Sequence, residues 1–214
     1  MRDQVYHGAI GRLLIVAGQT GAGKTTFLER PETFLRQEDL PEELADLFDL
    51  ARTHEGIMHL ARRKEAHFDS LCLHVDITNA VRWIMTEPRS REELLASIDP
   101  AIFSSWVQLS ECIRHASPVD IITLFVRREE HFRRFVYGKK LRDTPNKKLL
   151  TRLAAVVGDS DNKAEVHRKV YAAWIEFTRG IRCRSHSYLD GHGDRYTFIS
   201  EKAIREELSG GYKS

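Results

Sequence analysis

The sequence lacks the features that mark disulfide-rich, zinc-binding, membrane-spanning and secreted proteins. Its three cysteines, Cys72, Cys112 and Cys183, lie far apart and form no CxxC pair, so neither a disulfide framework nor a zinc knuckle is predicted. No apolar run approaches the roughly 18–20 residues of a membrane span. The first residues, MRDQVYHG, lack the apolar region of a secretory signal. We therefore expect a reduced, cytoplasmic protein with no membrane segment.

The charge is nearly balanced overall but unevenly distributed along the chain. Of the 214 residues, 42% are hydrophobic and 30% charged, as in a soluble globular protein, and the formal net charge is +2. Residues 1–107 carry a net charge of −5 and residues 108–214 one of +7. Gln37–Ala51 has six acidic and no basic residues, whereas Arg127–Arg152 has ten basic and three acidic residues. The excess of positive charge in this basic segment is the feature of the sequence that most requires a functional explanation.

The hydrophobic pattern predicts strands that alternate with helices. Strands are expected at 12–17, 70–75, 119–126 and 195–199. Helices are expected at 24–30, from 41 to about 66 with an interruption near Gly56, at 91–97, 101–115 and 128–137, from about 146, and at 161–181 and 201–208. Strands separated by helices pair in parallel through crossover connections. The predicted fold class is therefore α/β, a three-layer domain whose mainly parallel sheet of about four or five strands carries helices on both faces. We expect one domain over 1–214, with a helical insertion at about 32–68 and a basic, lid-like segment at about 127–152.

Residues 18–25, GQTGAGKT, match the spacing G-x-x-x-x-G-K-[ST] and directly follow a predicted strand. The glycines allow the backbone to wrap so that successive N–H groups point into one concavity that suits an anion, and the following helix adds its own N–H groups. Lys24 is expected to reach the β- and γ-phosphates of a nucleotide, and the Thr25 hydroxyl to bind Mg²⁺. The predicted cofactor-binding residues are Gly18, Gln19, Thr20, Gly21, Ala22, Gly23, Lys24, Thr25 and Thr26.

On this motif the chain resembles the P-loop NTPase superfamily, most closely its small-molecule and nucleotide kinases. The specific resemblance covers Arg12–Glu29, and the rest of the chain matches in the order of its elements. The resemblance implies a parallel sheet with helices on both faces, and ATP or GTP with Mg²⁺ as the cofactor. The GTPase base-reading motif Asn-Lys-x-Asp is absent, because 146–149 and 162–165 both fail at the fourth position.

Asp76 closes the predicted strand LCLHV and is the leading candidate for a catalytic carboxylate. Ligands of open α/β sheets bind beyond the carboxyl ends of the strands, where a carboxylate can hold Mg²⁺ or accept a proton from a substrate hydroxyl. The alternative is a turn or helix cap, with Thr78 and Asn79 nearby. Asp120 is the rival carboxylate, but it lies at the start of its strand. Thr25 and Asp76 are the predicted metal ligands.

The basic segment follows the apolar strand VDIITLFV, on the predicted loop side of the sheet. P-loop kinases have an arginine-bearing lid in this order, so the resemblance implies that Arg133 and Arg134 neutralise the transferred phosphoryl group. A solvated basic face is the alternative. With Lys24 and Asp76, these two arginines complete the predicted catalytic set.

Three functions remain open at this stage. The leading one is an ATP/Mg-dependent phosphotransferase, a kinase, whose partners are a nucleotide and a small-molecule acceptor. The others are a sulfotransferase-like enzyme, against which the intact loop argues, and a nucleotide-dependent module that binds nucleic acid or protein through the basic segment. The segment SHSYLDGHGD is predicted to be a polar loop, in which His186, Asp190 and His192 could also bind a metal or, by the resemblance, contact the nucleobase.

Overall fold

The computed structural model describes residues 7–56, 60, 63, 65–77, 100–127, 130–131, 163–192 and 195–209. The strands within these ranges are β1 Leu13–Gly18, β2 His54–Gly56, β3 Leu71–Asp76, β4 Val119–Phe125, β5 Ser185–His192 and β6 Arg195–Ile199. The helices are α1 Lys24–Glu29, α2 Pro31–Phe34, α3 Leu47–Arg52, α4 Pro100–His115, α5 Lys163–Arg179 and α6 Glu201–Ser209. Single 3₁₀ turns at Gln37–Asp39 and Glu42–Leu44 connect α2 to α3.

The six strands form one sheet in the order β2-β3-β1-β4-β5-β6. All neighbouring pairs are parallel except β5 and β6, which form an antiparallel hairpin. Strand β1 lies at the centre, between β3 and β4, and all six of its residues are buried. A strand covered on both faces reads as a continuous apolar run, which is why LLIVAG shows no alternation.

Two hydrophobic cores cover the two faces of this sheet. Alternate residues of β1, Leu13 and Ile15, pack with buried side chains of α4, α5 and α6, among them Trp174. The intervening residues Leu14 and Val16 pack with α1, α3 and the turns between them. The alternation of neighbouring residues between two cores is the direct consequence of the period of two in a strand. The predicted three-layer α/β fold is thereby confirmed.

Several predicted elements are confirmed and two are corrected. Strands β1, β3, β4 and β6 and helices α4, α5 and α6 lie where the sequence predicts them, and the hydroxyl of Ser200 accepts a hydrogen bond from Ala203 N (3.1 Å) at the start of α6. The predicted polar loop SHSYLDGHGD is wrong, because 185–192 form strand β5. The helical stretch to about residue 66 is interrupted near Gly56 as predicted, but the interruption is a strand that the sequence did not indicate, β2 at His54–Gly56. The sheet therefore has six strands rather than four or five.

The amino edge of the sheet holds a cluster of charged side chains. The fully buried Asp120 at the start of β4 accepts hydrogen bonds from Arg12 Nε (3.1 Å), Arg184 Nε (3.0 Å) and Ser185 Oγ (2.7 Å). Arg12 also pairs with Asp46, and both guanidinium groups donate to the carbonyl oxygen of Glu43 (2.7 and 2.8 Å). Burial alone would raise the pKa of Asp120, but these hydrogen bonds lower it below its ordinary value. The cluster ties β1, β4 and β5 to the segment before α3.

None of the helices among the described residues combines the length and the apolar composition that a membrane crossing requires.

Candidate functional site

The predicted phosphate-binding loop begins at the carboxyl edge of the sheet, where three adjacent strands end level with one another. Gly18, the last residue of β1, is the register partner of Asp76 on β3 and of Leu124 on β4. Because neighbouring parallel strands lie about 4.8 Å apart, Asp76 is placed beside the first residue of the loop. Asp120 lies at the opposite edge, as its position in the strand predicts.

The loop from Gly18 to α1 contains two left-handed residues, both glycines. Gly21 has φ 85° and Gly23 has φ 90°, a backbone conformation that residues with a Cβ rarely adopt. Gly23 precedes α1, and its carbonyl oxygen accepts the first helical hydrogen bond, from Phe27 N (2.9 Å). Gly21, at a variable position of the motif, and Gly23, one of its fixed glycines, are therefore required by the turns that bring the chain from β1 into α1.

Lys24, the first residue of α1, turns back onto the loop that precedes it. Its ammonium group donates to the carbonyl oxygens of Gly18 (2.8 Å) and Gln19 (2.9 Å), and the residue is only 9% exposed. Burial lowers the pKa of Lys24 from its ordinary value, whereas the negative charge of the nearby Asp76 opposes this shift. The loop thus concentrates one positive charge beside the carboxylate that ends β3.

Asp76 accepts a hydrogen bond from the hydroxyl of Thr20, which links the end of β3 to the loop. Thr25 is exposed on the first turn of α1 and Thr26 is half-buried. A hydroxyl and a carboxylate are hard oxygen donors, the type that Mg²⁺ prefers together with water and phosphate oxygens. The chemistry of Thr25 and Asp76 therefore fits a magnesium ion held between the loop and β3.

Two side chains that the sequence did not single out donate to carbonyl oxygens of the loop. The Nε2–H of His131 donates to Thr20 O (2.9 Å), and the hydroxyl of Tyr196 donates to Ala22 O (2.9 Å). Burial, together with the nearby His167, lowers the pKa of His131 to about 3, so the imidazole is neutral at physiological pH. Neither residue belongs to a short sequence motif. If the sequence had indicated a β-hairpin over 185–199, its register would have placed Gly191 opposite Tyr196.

A second buried histidine braces the start of the loop from α5. His167 donates from Nε2 to Val126 O (2.8 Å), and its own carbonyl accepts from the Gln19 side chain (3.1 Å). The rings of His131 and His167 lie 5.3 Å apart. The loop is thus in contact with β4, β6, α5 and the segment after β4.

The predicted lid residues Arg133 and Arg134 lie outside the described residues, as does most of 127–152. At the start of that segment, the exposed Arg127 pairs through Nε with Asp190 of β5 (3.3 Å). His131, four residues further on, contacts the loop through Thr20. The basic segment therefore begins beside the phosphate-binding loop.

His186 of β5 has contacts within the fold. His186 Nε2 lies 3.0 Å from Thr123 Oγ1, and its ring packs on Tyr188 at 4.3 Å. Along an extended strand, the four residue steps from His186 to Asp190 span about 13 Å, so these two residues are too far apart to bind the same metal ion. In the described ranges, no group of three histidine, cysteine, aspartate or glutamate residues is arranged to hold a metal.

Comparison with known proteins shows a likeness to solved structures and none to a known family or curated protein. Among solved structures, the chain is similar to thymidylate kinase from Candida albicans, with 13% sequence identity, 89% of this chain and 98% of that chain covered, and a TM-score of 0.37. A likeness at this level does not carry a function from one protein to another, so the site itself has to support one.

Proposed function

We propose that this protein is an ATP/Mg-dependent phosphotransferase, a P-loop kinase, that acts on a small molecule. The observation that carries the proposal is the joint placement of the loop, Lys24 and Asp76 at the carboxyl edge of the sheet. A phosphate-binding loop and a carboxylate at this edge are the two protein components that phosphoryl transfer needs first.

In this proposal each residue has a separate task. The backbone N–H groups of the loop and the ammonium group of Lys24 bind the β- and γ-phosphates. Thr25 and Asp76 hold Mg²⁺, which supplies charge neutralisation at the transferred phosphoryl group. Asp76 also orients the acceptor hydroxyl and accepts its proton. Arg133 and Arg134 close over the γ-phosphate from a lid at 127–152, which fits the contact between His131 and the loop.

The acceptor side is less specified than the nucleotide side. We assign ATP or GTP as the donor and one domain over 1–214, with an insertion at 32–68 on the acceptor side. Within that range α2 and α3 pack on the same face of the sheet as α1. The acidic segment at 38–49 would favour a cationic or hydroxyl-rich acceptor over an anionic one, but Glu43 and Asp46 contact Arg12 at the amino edge of the sheet, so a solvated acidic surface explains this part of the segment better. A cytoplasmic location supplies both nucleotide and Mg²⁺.

The test is ADP formation by the purified full-length protein with Mg·ATP and a panel of hydroxyl-bearing acceptors. Release of ADP that depends on one acceptor class supports the kinase. Binding of Mg·ATP without turnover of any acceptor contradicts it and favours a nucleotide-dependent binding module. Preference for a phosphorylated adenosine sulfate donor over Mg·ATP would favour the sulfotransferase-like alternative.

A further inference from the structure

Four carbonyl oxygens of the phosphate-binding loop accept hydrogen bonds from side chains of the protein itself. Lys24 donates to those of Gly18 and Gln19, His131 to that of Thr20, and Tyr196 to that of Ala22. In a trans peptide the C=O and the following N–H point in opposite directions. The carbonyls held by His131 and Tyr196 therefore aim the next N–H groups, those of Gly21 and Gly23, away from these two side chains, and a loop that binds an anion needs N–H groups with fixed directions.

The peptide between Ala22 and Gly23 is the one whose orientation most needs such a restraint. Rotation of this peptide changes ψ of Ala22 and φ of Gly23, and Gly23 lies in the left-handed region at φ 90°. Glycine populates positive and negative φ about equally, so rotation of this peptide meets little local resistance. The hydrogen bond from Tyr196 to Ala22 O (2.9 Å) opposes that rotation and fixes the direction of the Gly23 N–H.

Tyr196 is itself held on three sides. Its ring packs edge-to-face on Phe27 of α1, with centroids 5.4 Å apart, and on Phe34 of α2 at 5.6 Å. Its register partner on β5 is Gly191, where an added Cβ would lie 2.8 Å from Tyr196 Cε1. The space for the ring thus depends on the absence of a side chain at 191. The residue is 7% exposed, so its hydroxyl has little access to competing water.

From these contacts we propose that Tyr196 is a positioning residue for the phosphate site, acting on bound triphosphate through the Ala22–Gly23 peptide without touching it. The inference rests on the proposed function, because it presupposes that the loop binds a triphosphate. On this inference, the β5–β6 hairpin affects nucleotide affinity, although it carries no part of the sequence motif.

The test compares Tyr196→Phe with Tyr188→Phe in the full chain. Both substitutions delete one hydroxyl from a buried tyrosine of the same hairpin, but the Tyr188 hydroxyl faces His186 and Glu201 (3.4 Å each) rather than the loop. Calorimetric titration with Mg·ATP and with Mg·tripolyphosphate should show Kd raised about threefold to tenfold in Tyr196→Phe, as expected for one lost hydrogen bond. Tyr188→Phe should match the wild type with both probes.

The second probe separates an effect on phosphate binding from an effect on the base or sugar, because tripolyphosphate contains neither, and Tyr188→Phe controls for a general structural effect. Gly191→Ala provides an independent variant, since its Cβ displaces the Tyr196 ring without removing the hydroxyl; it should weaken both probes as well. Unchanged Kd values in Tyr196→Phe, or an equal rise in Tyr188→Phe, would overturn the inference while leaving the nucleotide site in place. Absence of binding in the wild type would instead reject the proposed function on which it rests.

Discussion

At the amino edge of the sheet, Asp120 is bound by two arginines and a serine, whereas at the carboxyl edge Lys24 is bound by two neutral carbonyl oxygens. In the first cluster formal charges of opposite sign meet each other. In the second, a buried cation is oriented by backbone dipoles at the mouth of a glycine loop. Charges that neutralise one another stabilise the fold, while a cation held by neutral groups keeps its attraction for an anion.

The largest effect on stability is expected for Asp120→Asn. The amide cannot neutralise Arg12 and Arg184, and its NH₂ group faces donors, so the free energy of unfolding in urea should fall by about 3 kcal/mol. The matched control is Asp46→Asn, because Asp46 pairs with the same Arg12 but its side chain is 49% exposed; here the loss should stay below about 1 kcal/mol. Equal losses in the two variants would show that the amino-edge cluster does not depend on its buried carboxylate.

An intermediate effect is expected from the titration of His131. The pKa of its imidazole is about 3 in the folded protein and about 6.5 in an unfolded chain. Below about pH 6.5 the unfolded state therefore takes up a proton that the folded state does not, and stability falls with acid. The groups whose charges act on this imidazole are His167, Asp76 and Lys24.

For this group we expect a loss of about 2 kcal/mol of unfolding free energy between about pH 7.5 and pH 5. His131→Gln keeps an N–H donor for Thr20 O. Over this pH range it should lose about 2 kcal/mol less unfolding free energy than the wild type. Burial also lowers the pKa of His186, to about 4, so His186→Gln should reduce the acid loss as well. If the unfolding free energy of His131→Gln falls with acid as steeply as that of the wild type, His131 is not a buried neutral imidazole in the folded protein.

The smallest effect on stability is expected for Asp76→Asn, the counterpart of Asp120→Asn at the other end of the sheet. The asparagine oxygen can still accept the Thr20 hydroxyl, so unfolding should change by less than about 1 kcal/mol. Turnover should nevertheless fall by about a hundredfold or more, because a proton acceptor and magnesium ligand is lost. Steady-state ADP release together with urea unfolding measures both quantities. A stability loss equal to that of Asp120→Asn would remove the distinction between the two edges.

The sequence predicts those parts of the fold and site that local patterns determine. The loop follows from the spacing of Gly18, Gly23 and Lys24, and β4 follows from an apolar run that both cores require. Strand β5 could not be predicted in this way, because it contains polar residues whose hydrogen bonds are made to partners far away in the sequence. Ser185 donates to Asp120, and Asp190 accepts from Arg127. These contacts become visible only after the chain has folded.

The same limit applies to the residues that support the loop. Tyr196 and His131 act on backbone carbonyls, and any backbone carbonyl looks alike in a sequence. The placement of Asp76 beside Gly18 was predictable in outline, because parallel strands end at one edge. Its hydrogen bond to Thr20 was not, because it depends on the path of the loop.

The most direct test of the carboxyl-edge site is calorimetric titration of Mg·ATP into wild type, Lys24→Ala and Lys202→Ala. Lys202 is the control, an exposed lysine on α6 that pairs with Glu206. We predict saturable binding by the wild type and by Lys202→Ala, and a Kd at least about a hundredfold higher in Lys24→Ala, since a charge-assisted contact to phosphate is lost. Binding by Lys24→Ala as tight as that of the wild type, or no binding by the wild type, would contradict a nucleotide site at this loop.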